Sequence, residues 1–496
     1  MINYLFDIYL TLPEIYLILS IFVLLIFGVL NEGSFLLGYP LLLIPSGLLS
    51  LQILVFTWFL IFKSPCINFI TWNFFLVSSF SSVFLKLSLL IISIIWVSFI
   101  LKYLSNEKIN GFEYWILSLF TILALSFLIQ VFDILVMYLI IELQSLSFYV
   151  LASFKRSSEF STEAGLKYFV LGAFSSAFLL FGVSLIYGIT GLTNFLDFSI
   201  LFSGFLIENS LFLFSTFSGL ILIISALFFK LSAAPFHMWS PDVYEGSPTS
   251  TTAFFSLFPK LIISTLLIRI FVVNFNDFID KGKTLFLVCA FFSLLIGTLG
   301  ALIQKKWKRF LAYSSINHIG FILIGFSSSE NFSIFSIFMY LFIYIITIVA
   351  IFSLIIDLRL HKYLQNNQIR YIKDILSCGN INPLLTLSLT LILFSMAGIP
   401  PLSGFFAKIF IFLVGIQSGI YSLIFFSIFM SSIACFYYIR IIQEMYFLKI
   451  KKWPLYISLT KINAFILGNS CFFITCFFFD IELFSVLVTR LAVTFI

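Results

Sequence analysis

Residues 133–155 read DILVMYLIIELQSLSFYVLASFK: an almost unbroken apolar run, opened by an aspartate, closed by a lysine and interrupted near its middle by Glu142. A run of this length matches the ~20 residues a helix needs to cross a bilayer and is too long for a core strand. The pattern recurs along the chain. Of 496 residues, 61% are hydrophobic and 10% charged, against about 25% charged in a soluble domain, so water-soluble classes are excluded. The mean hydropathy of +1.17 is spread over the whole length and does not come from a single anchor. The expected fold is an all-α polytopic membrane protein of about 14 transmembrane helices.

Charge placement tests that count, because Lys and Arg gather in alternate loops. Eighteen fall in loops after odd-numbered spans, from Lys102 and Lys108 through the 305–309 cluster to Lys449, Lys451, Lys452 and Lys461. Four (Lys63, Lys281, Lys283, Arg490) fall on the other side. A missed or invented span would mix the two sets. Both termini are therefore expected on the less basic side. The cysteines Cys66, Cys289, Cys378, Cys435, Cys471 and Cys476 form no CxxC pair, and His237, His318 and His361 lie on separate segments. Neither a disulfide framework nor a metal or haem centre is expected. The opening MINYLFDIYLTLPEIYLILS has no presequence or cleavage pattern, and the excess of Phe, Ile, Leu, Tyr and Asn suggests AT-rich organelle coding.

The expected seventh and twelfth spans, 210–240 and 382–417, are too long for simple helices, since at 1.5 Å per residue each exceeds the ~30 Å hydrocarbon core. Pro235 interrupts the first, with Pro241 just beyond it, and Pro400 and Pro401 interrupt the second. Both are expected to be broken helices. Because they stand five spans apart, spans 4–8 and 9–13 are expected to form two inverted five-helix repeats. The domain plan is then 1–110 for an N-terminal three-helix segment, 111–275 and 276–448 for two inverted halves, and 449–496 for the last helix and tail.

Five basic residues remain inside apolar segments: Lys86, Lys230, Lys260, Arg269 and Lys408. Lys86 and Arg269 are expected to snorkel to an interface. Lys260, within TTAFFSLFPKLIISTLLIRI at 251–270, is too deep to do so. Glu142 lies thirteen residues before Lys155, hence ~20 Å from the basic-side interface by helical rise. A centrally placed charge costs about 2.5–3.5 kcal/mol, so an acid and three lysines call for a role. A single Glu–Lys pair holding helices in register would leave two lysines unexplained. A proton relay through Glu142, Lys230, Lys260, His318 and Lys408, with His237 as a further candidate, uses them all. His318 lies ~13 Å into the membrane, where an imidazole can pass protons or simply hold helices together. His237 follows Lys230 by seven residues, with Pro235 between them. Asp133 is expected to serve in capping or interfacial packing, and the pairs Gly297/Gly300 and Gly415/Gly419 to be sites of close helix packing.

The stretches IIELQSLSFYVLASF (140–154), FFKLSAAPFHMWSPDVYEGSPTSTTAFFSLFPK (228–260), QKKWKRFLAYSSINHIGF (304–321) and FSMAGIPPLSGFFAKIF (394–410) agree in order and spacing with one known family. The chain closely resembles the subunit 2 family of the proton-pumping NADH:quinone oxidoreductase, respiratory complex I. That resemblance implies two inverted half-channels, broken helices 7 and 12, and an axis of titratable groups in which Glu142, Lys230, Lys260 and Lys408 take the fifth-, seventh-, eighth- and twelfth-helix positions. It implies membership of an H+-translocating NADH:ubiquinone reductase, with sister antiporter-like membrane-arm subunits and lipids as partners and no nucleic acid. The expected location is the mitochondrial inner membrane, with the N-terminus in the intermembrane space. No GxGxxG fingerprint, P-loop or cysteine cluster is present. NADH, FMN, iron–sulfur clusters and ubiquinone are therefore expected in partner chains, and no cofactor or redox catalytic site in this one. The rival readings are a stand-alone cation/proton antiporter and a structural scaffold. Span 13 carries no lysine matching Lys260, so the two halves are not expected to be chemically equivalent.

Overall fold

A computed structural model describes residues 2–31, 42–107, 109, 111–204, 210–275, 278–328, 331–362, 365–375, 382–447 and 459–495. Lys108, Lys449, Lys451, Lys452 and Cys378 lie outside these residues. In order, the described helices are α1 (Ile2–Leu10), α2 (Leu12–Asn31), α3 (Leu43–Lys63), α4 (Phe80–Asn106), α5 (Glu113–Gln130), α6 (Ile134–Ala152), α7 (Glu159–Thr190), α8 (Phe195–Gly204), α9 (Ser210–Leu231) and α10 (Trp239–Gly246). They continue with α11 (Thr249–Leu267), α12 (Ile279–Ile303), α13 (Trp307–Gly325), α14 (Asn331–Asp357), α15 (Pro383–Ala397), α16 (Ser403–Gln417), α17 (Tyr421–Tyr446), α18 (Lys461–Cys476) and α19 (Ile481–Phe495). Two antiparallel hairpins join them: β1 (Phe69–Thr71) with β2 (Leu76–Ser78), and β3 (Arg359–Lys362) with β4 (Gln365–Gln368).

The all-α membrane class is borne out. Among the described residues eleven helices are long and apolar enough to cross a membrane, and the pair α18–α19, bent by 96°, makes twelve if it is one span. The expected fourteen is not reached on length and composition. The shortfall has a physical origin: α13 carries Ser314, Ser315, Asn317 and His318 in place of apolar residues, and the twelfth span is divided into two 15-residue pieces, α15 and α16.

Helix ends follow local chemistry. Asp133 caps α6, its Oδ1 accepting from the backbone N–H of Leu135 at 2.8 Å and of Val136 at 3.3 Å, as a carboxylate at that position does. Asn382 caps α15, with Pro383 next to it supplying no N–H where none is needed. Turns then sort by side. Phe132 N–H donates to Phe75 O and Ile134 N–H to Thr193 O, which gathers the loops after α3, α5 and α7 on one face. On the opposite face Glu107 receives Lys155 and Arg359, at 3.0 and 3.4 Å.

Two cations within apolar helices depart from expectation. Lys86 does not snorkel; its ammonium pairs with Glu14 of α2, and both residues are almost fully buried. Two turns inside α4, the lysine meets a carboxylate before it could meet water, and a paired charge avoids the cost of an isolated one. Arg269 reaches its interface but ends on protein, donating to Val131 O at 2.6 Å beyond the last turn of α5. The glycine expectations divide. A Cβ on Gly297 would meet the Asn317 backbone at 2.6 Å and one on Gly300 the Tyr313 ring at 2.4 Å, so α12 and α13 require both. Gly415 packs on Ile424, whereas Gly419 (φ +73°) faces open space and serves a turn.

Candidate functional site

Both long segments are broken. α9 stops at Leu231, one residue beyond Lys230, and Ser232 takes φ +63° before Pro235 and α10. The twelfth span stops at Ala397, turns at Gly398 (φ +82°) and Pro400–Pro401, and restarts at Ser403 as α16. Gly404 makes the second turn possible, since a Cβ there would lie 1.7 Å from Ser395 O. In an unbroken helix the Ala397 carbonyl would accept from residue 401, but a proline has no N–H to give. Lys408 takes that place: its Nζ donates to Ala397 O at 2.7 Å.

Lys408 lines a cavity of about 20 Å³ together with His318, Tyr340, Tyr344 and Ser395, which is room for a single water molecule. His318 Nδ1 and Tyr340 Oη are 2.6 Å apart, and the imidazole ring centre lies 5.3 Å from that of Tyr344. Lys260 donates to Tyr344 Oη at 2.8 Å. Pro259 immediately precedes Lys260 inside α11, where it leaves the Phe255 carbonyl without its usual donor. The structure thus brings Lys260, His318 and Lys408 together, and both lysines act electrostatically on the imidazole. Lys260 is 2% exposed, Lys408 6% and His318 7%. Among the described residues no carboxylate pairs with any of the three.

Glu142 and Lys230 occupy a different setting. Both are half-buried, and the neighbours of Glu142 on α6, Leu139, Leu143 and Leu146, face outward, so the acid sits at the perimeter. Ser145 Oγ donates to its Oε2 at 3.0 Å. The Glu142 carboxylate acts on Lys230 through space, without a direct ion pair. His237 is buried in the turn before α10, and no hydrogen bond links its Nδ1 to Lys230 or to the central cluster.

The sequence reading missed Tyr340 and Tyr344. Their i, i+4 spacing on α14 places two hydroxyls on one helix face, and that was the available signal. It also missed the roles of Asp242 and Glu245 in PDVYEGSP. Asp242 accepts from Arg309 at 2.6 Å and Lys167 at 3.1 Å, while Glu245 pairs with Arg309 at 2.7 Å and with Lys306. Burial pushes the Asp242 carboxyl up, but the bonds from Arg309 and Lys167 outweigh it and hold the group below its ordinary value. These ions tie α7, α10 and α13 together on the basic side.

All the expected relay residues fall inside 131–434, the region matched by the family model described as NADH:quinone oxidoreductase/Mrp antiporter, TM. The chain belongs to that family. The NADH-ubiquinone oxidoreductase chain 2 of Marchantia polymorpha is 42% identical to it over 471 residues, covering 94% of each chain. That of Oenothera berteroana is 39% identical over 478 residues, covering 96% of each. Subunit N of the NADH-quinone oxidoreductase of Paramagnetospirillum magneticum is 39% identical over 73% of this chain and 74% of its own. These names bear out the resemblance read from the motifs. A chain of respiratory complex I from Thermus thermophilus superposes with TM-score 0.76 at 23% identity, covering 95% of this chain and 98% of that one. One from the Mrp complex of Dietzia gives 0.79 at 18%, covering 97% and 96%. At those identities the likeness shows the shared fold alone. The buried Glu14–Lys86 pair lies outside the family match.

Proposed function

We propose that this chain is a proton-translocating membrane-arm subunit of an NADH:ubiquinone oxidoreductase, driven by quinone reduction in partner chains that hold NADH, FMN, iron–sulfur clusters and ubiquinone. The observation that carries the reading is the line from Lys260 through Tyr344 and His318 to Lys408 across a one-water cavity. Each group on it can take a proton from one neighbour and give one to the next, and each is sheltered from bulk water. Glu142 and Lys230 form the charged element at the perimeter, where a neighbouring antiporter-like subunit can sense it. Lys408, beside the Pro400–Pro401 break, is the outlet-side end. Irregular backbone at membrane depth is tolerated where protein or water satisfies it; Lys408 satisfies Ala397 O, and the one-water cavity beside it is where water reaches the break. His237 serves the turn between the first break and α10, which makes it the peripheral member of the set.

The same reading takes fourteen passes, with 1–110 as an N-terminal segment, 111–275 and 276–448 as inverted halves and 449–496 as the last helix and tail. The two broken helices support that division. It places the chain in the mitochondrial inner membrane with its N-terminus in the intermembrane space and no redox catalytic site of its own. The stand-alone antiporter has the Mrp likeness of the family and of the fold in its favour, but relatives around 40% identical carry oxidoreductase names. Lys260→Met in the assembled complex tests the relay. NADH-driven proton pumping should be lost while the complex remains on native gels, and normal pumping would refute it. Cation/proton exchange by the chain reconstituted alone would favour the rival.

A further inference from the structure

Span 13, now α17, lacks a lysine but places two adjacent tyrosines against α13. Tyr438 is 0% exposed, Asn317 1% and Tyr437 3%, and Tyr437 Oη, Tyr438 Oη and Asn317 Oδ1 are all buried without a hydrogen-bond partner. The two rings lie 4.5 Å apart. Tyr437 Oη lies within hydrogen-bonding range of Asn317 and of Tyr438, and Tyr438 Oη of Ser314, but the angles and distances complete none of these bonds at the three oxygens. Leaving a buried polar group unsatisfied costs about 1–3 kcal/mol. Three in one place are therefore a strong demand for bound water, which bridges buried groups that protein atoms do not pair.

The cluster has a direction. On α13, Ser314, Asn317 and His318 follow one another at i, i+3 and i+4, so they share a face. Asn317 lies eight residues past Arg309, hence ~12 Å inward from the basic side. Phe310, two turns nearer that side, lies edge-on to both tyrosines at 5.5 and 5.8 Å. Inward, Tyr437 and Tyr438 are both within electrostatic reach of Tyr340, whose hydroxyl meets His318.

We propose that Asn317, Tyr437 and Tyr438 bind a buried water cluster that gives His318 a second proton connection, leading to the basic side between α13 and α17 and taking the place of the missing lysine. A proton entering the cluster binds a water lone pair, and that water releases one of its own protons onward. The phenol of Tyr340 then accepts one proton and hands its original one to His318. Each O–H bond that breaks is replaced by one that forms, and no tyrosine changes its net charge. Phe310 covers the outer end and restricts entry.

The inference rests on the relay reading, and the experiment separates the two. Tyr437→Phe/Tyr438→Phe keeps both rings against Phe310 and removes only the hydroxyls. In the assembled complex NADH-driven proton pumping should fall several-fold, and the deficit should shrink as the basic-side pH is lowered, a response that a packing defect does not give. Normal pumping by the double variant, or a deficit indifferent to that pH, overturns the branch. His318→Asn is the control: if it pumps normally the relay reading fails, and if it is impaired while the tyrosine variant is normal, the branch alone fails. Should the double variant not assemble, a map of the wild-type complex decides, with ordered water on Asn317, Tyr437 or Tyr438 expected and a cluster without it overturning the proposal.

Discussion

The two helix breaks solve one backbone problem with different side chains. At the first, the Phe229 carbonyl accepts from the Trp239 indole N–H at 2.8 Å. The Ser232 N–H also donates to that carbonyl at 2.9 Å, and Lys230 stands in the field of Glu142 at the perimeter. At the second, the lysine itself satisfies the carbonyl, and Lys408 is held in the interior beside His318. A carboxylate nearby offsets part of the cost of a charged lysine. Lys260, His318 and Lys408 have no carboxylate among them, so a proton on one disfavours a proton on the next. The first region suits a charged switch, and the second suits handing a proton along.

The largest effect that would break this contrast is expected at Lys408. Lys408→Met should abolish pumping and leave Ala397 O unsatisfied, at about 1–3 kcal/mol. Lys408→Arg restores a donor to that carbonyl but does not release its proton. The arginine variant should therefore assemble like wild type on native gels and still fail to pump; full pumping would reduce Lys408 to a fixed charge.

Glu142→Gln should come next, with pumping strongly reduced in an assembled complex, because the amide keeps the size and the bond to Ser145 but removes the charge felt by Lys230. Loss of the complex instead would mean that the pair holds helices in register. The contrast itself would fail if Glu142→Gln pumped normally while the lysine variants did not.

Asp242→Asn should be the mildest change, since partly exposed ion pairs contribute about 1 kcal/mol or less. Because Asp242 is held below its ordinary value, its contribution is fully present above the unfolded-state value and is lost as pH falls through the depressed one. Thermal stability of the wild-type complex should therefore exceed that of the variant at neutral pH and converge with it in acid. A difference that grew on acidification would contradict the pairing with Arg309 and Lys167.

Much of this was readable in the chain. Membrane class, the breaks at Pro235 and Pro400–Pro401, the Asp133 cap and the buried Lys260 and Lys408 all follow from composition, spacing and missing N–H donors. Tyr340 and Tyr344 were obscured because a tyrosine in an apolar helix looks like core until its hydroxyl is seen to meet a partner. Lys86 was misjudged because Glu14 is 72 residues away in sequence.

The amino-acid sequence by itself determined that the chain lives in a membrane, where its helices stop and which charges are buried, since hydropathy, proline and the absence of water act locally. Only the tertiary structure decided which of those charges meet. Lys260 meets Tyr344 and His318 meets Tyr340 on α14, Lys408 lines the same cavity as His318 and both tyrosines, and Glu142 stays at the rim. Side chains from helices far apart in sequence come within hydrogen-bond reach only through packing, and a hydrogen bond or a field in low dielectric depends on distances of a few ångströms that no local pattern encodes.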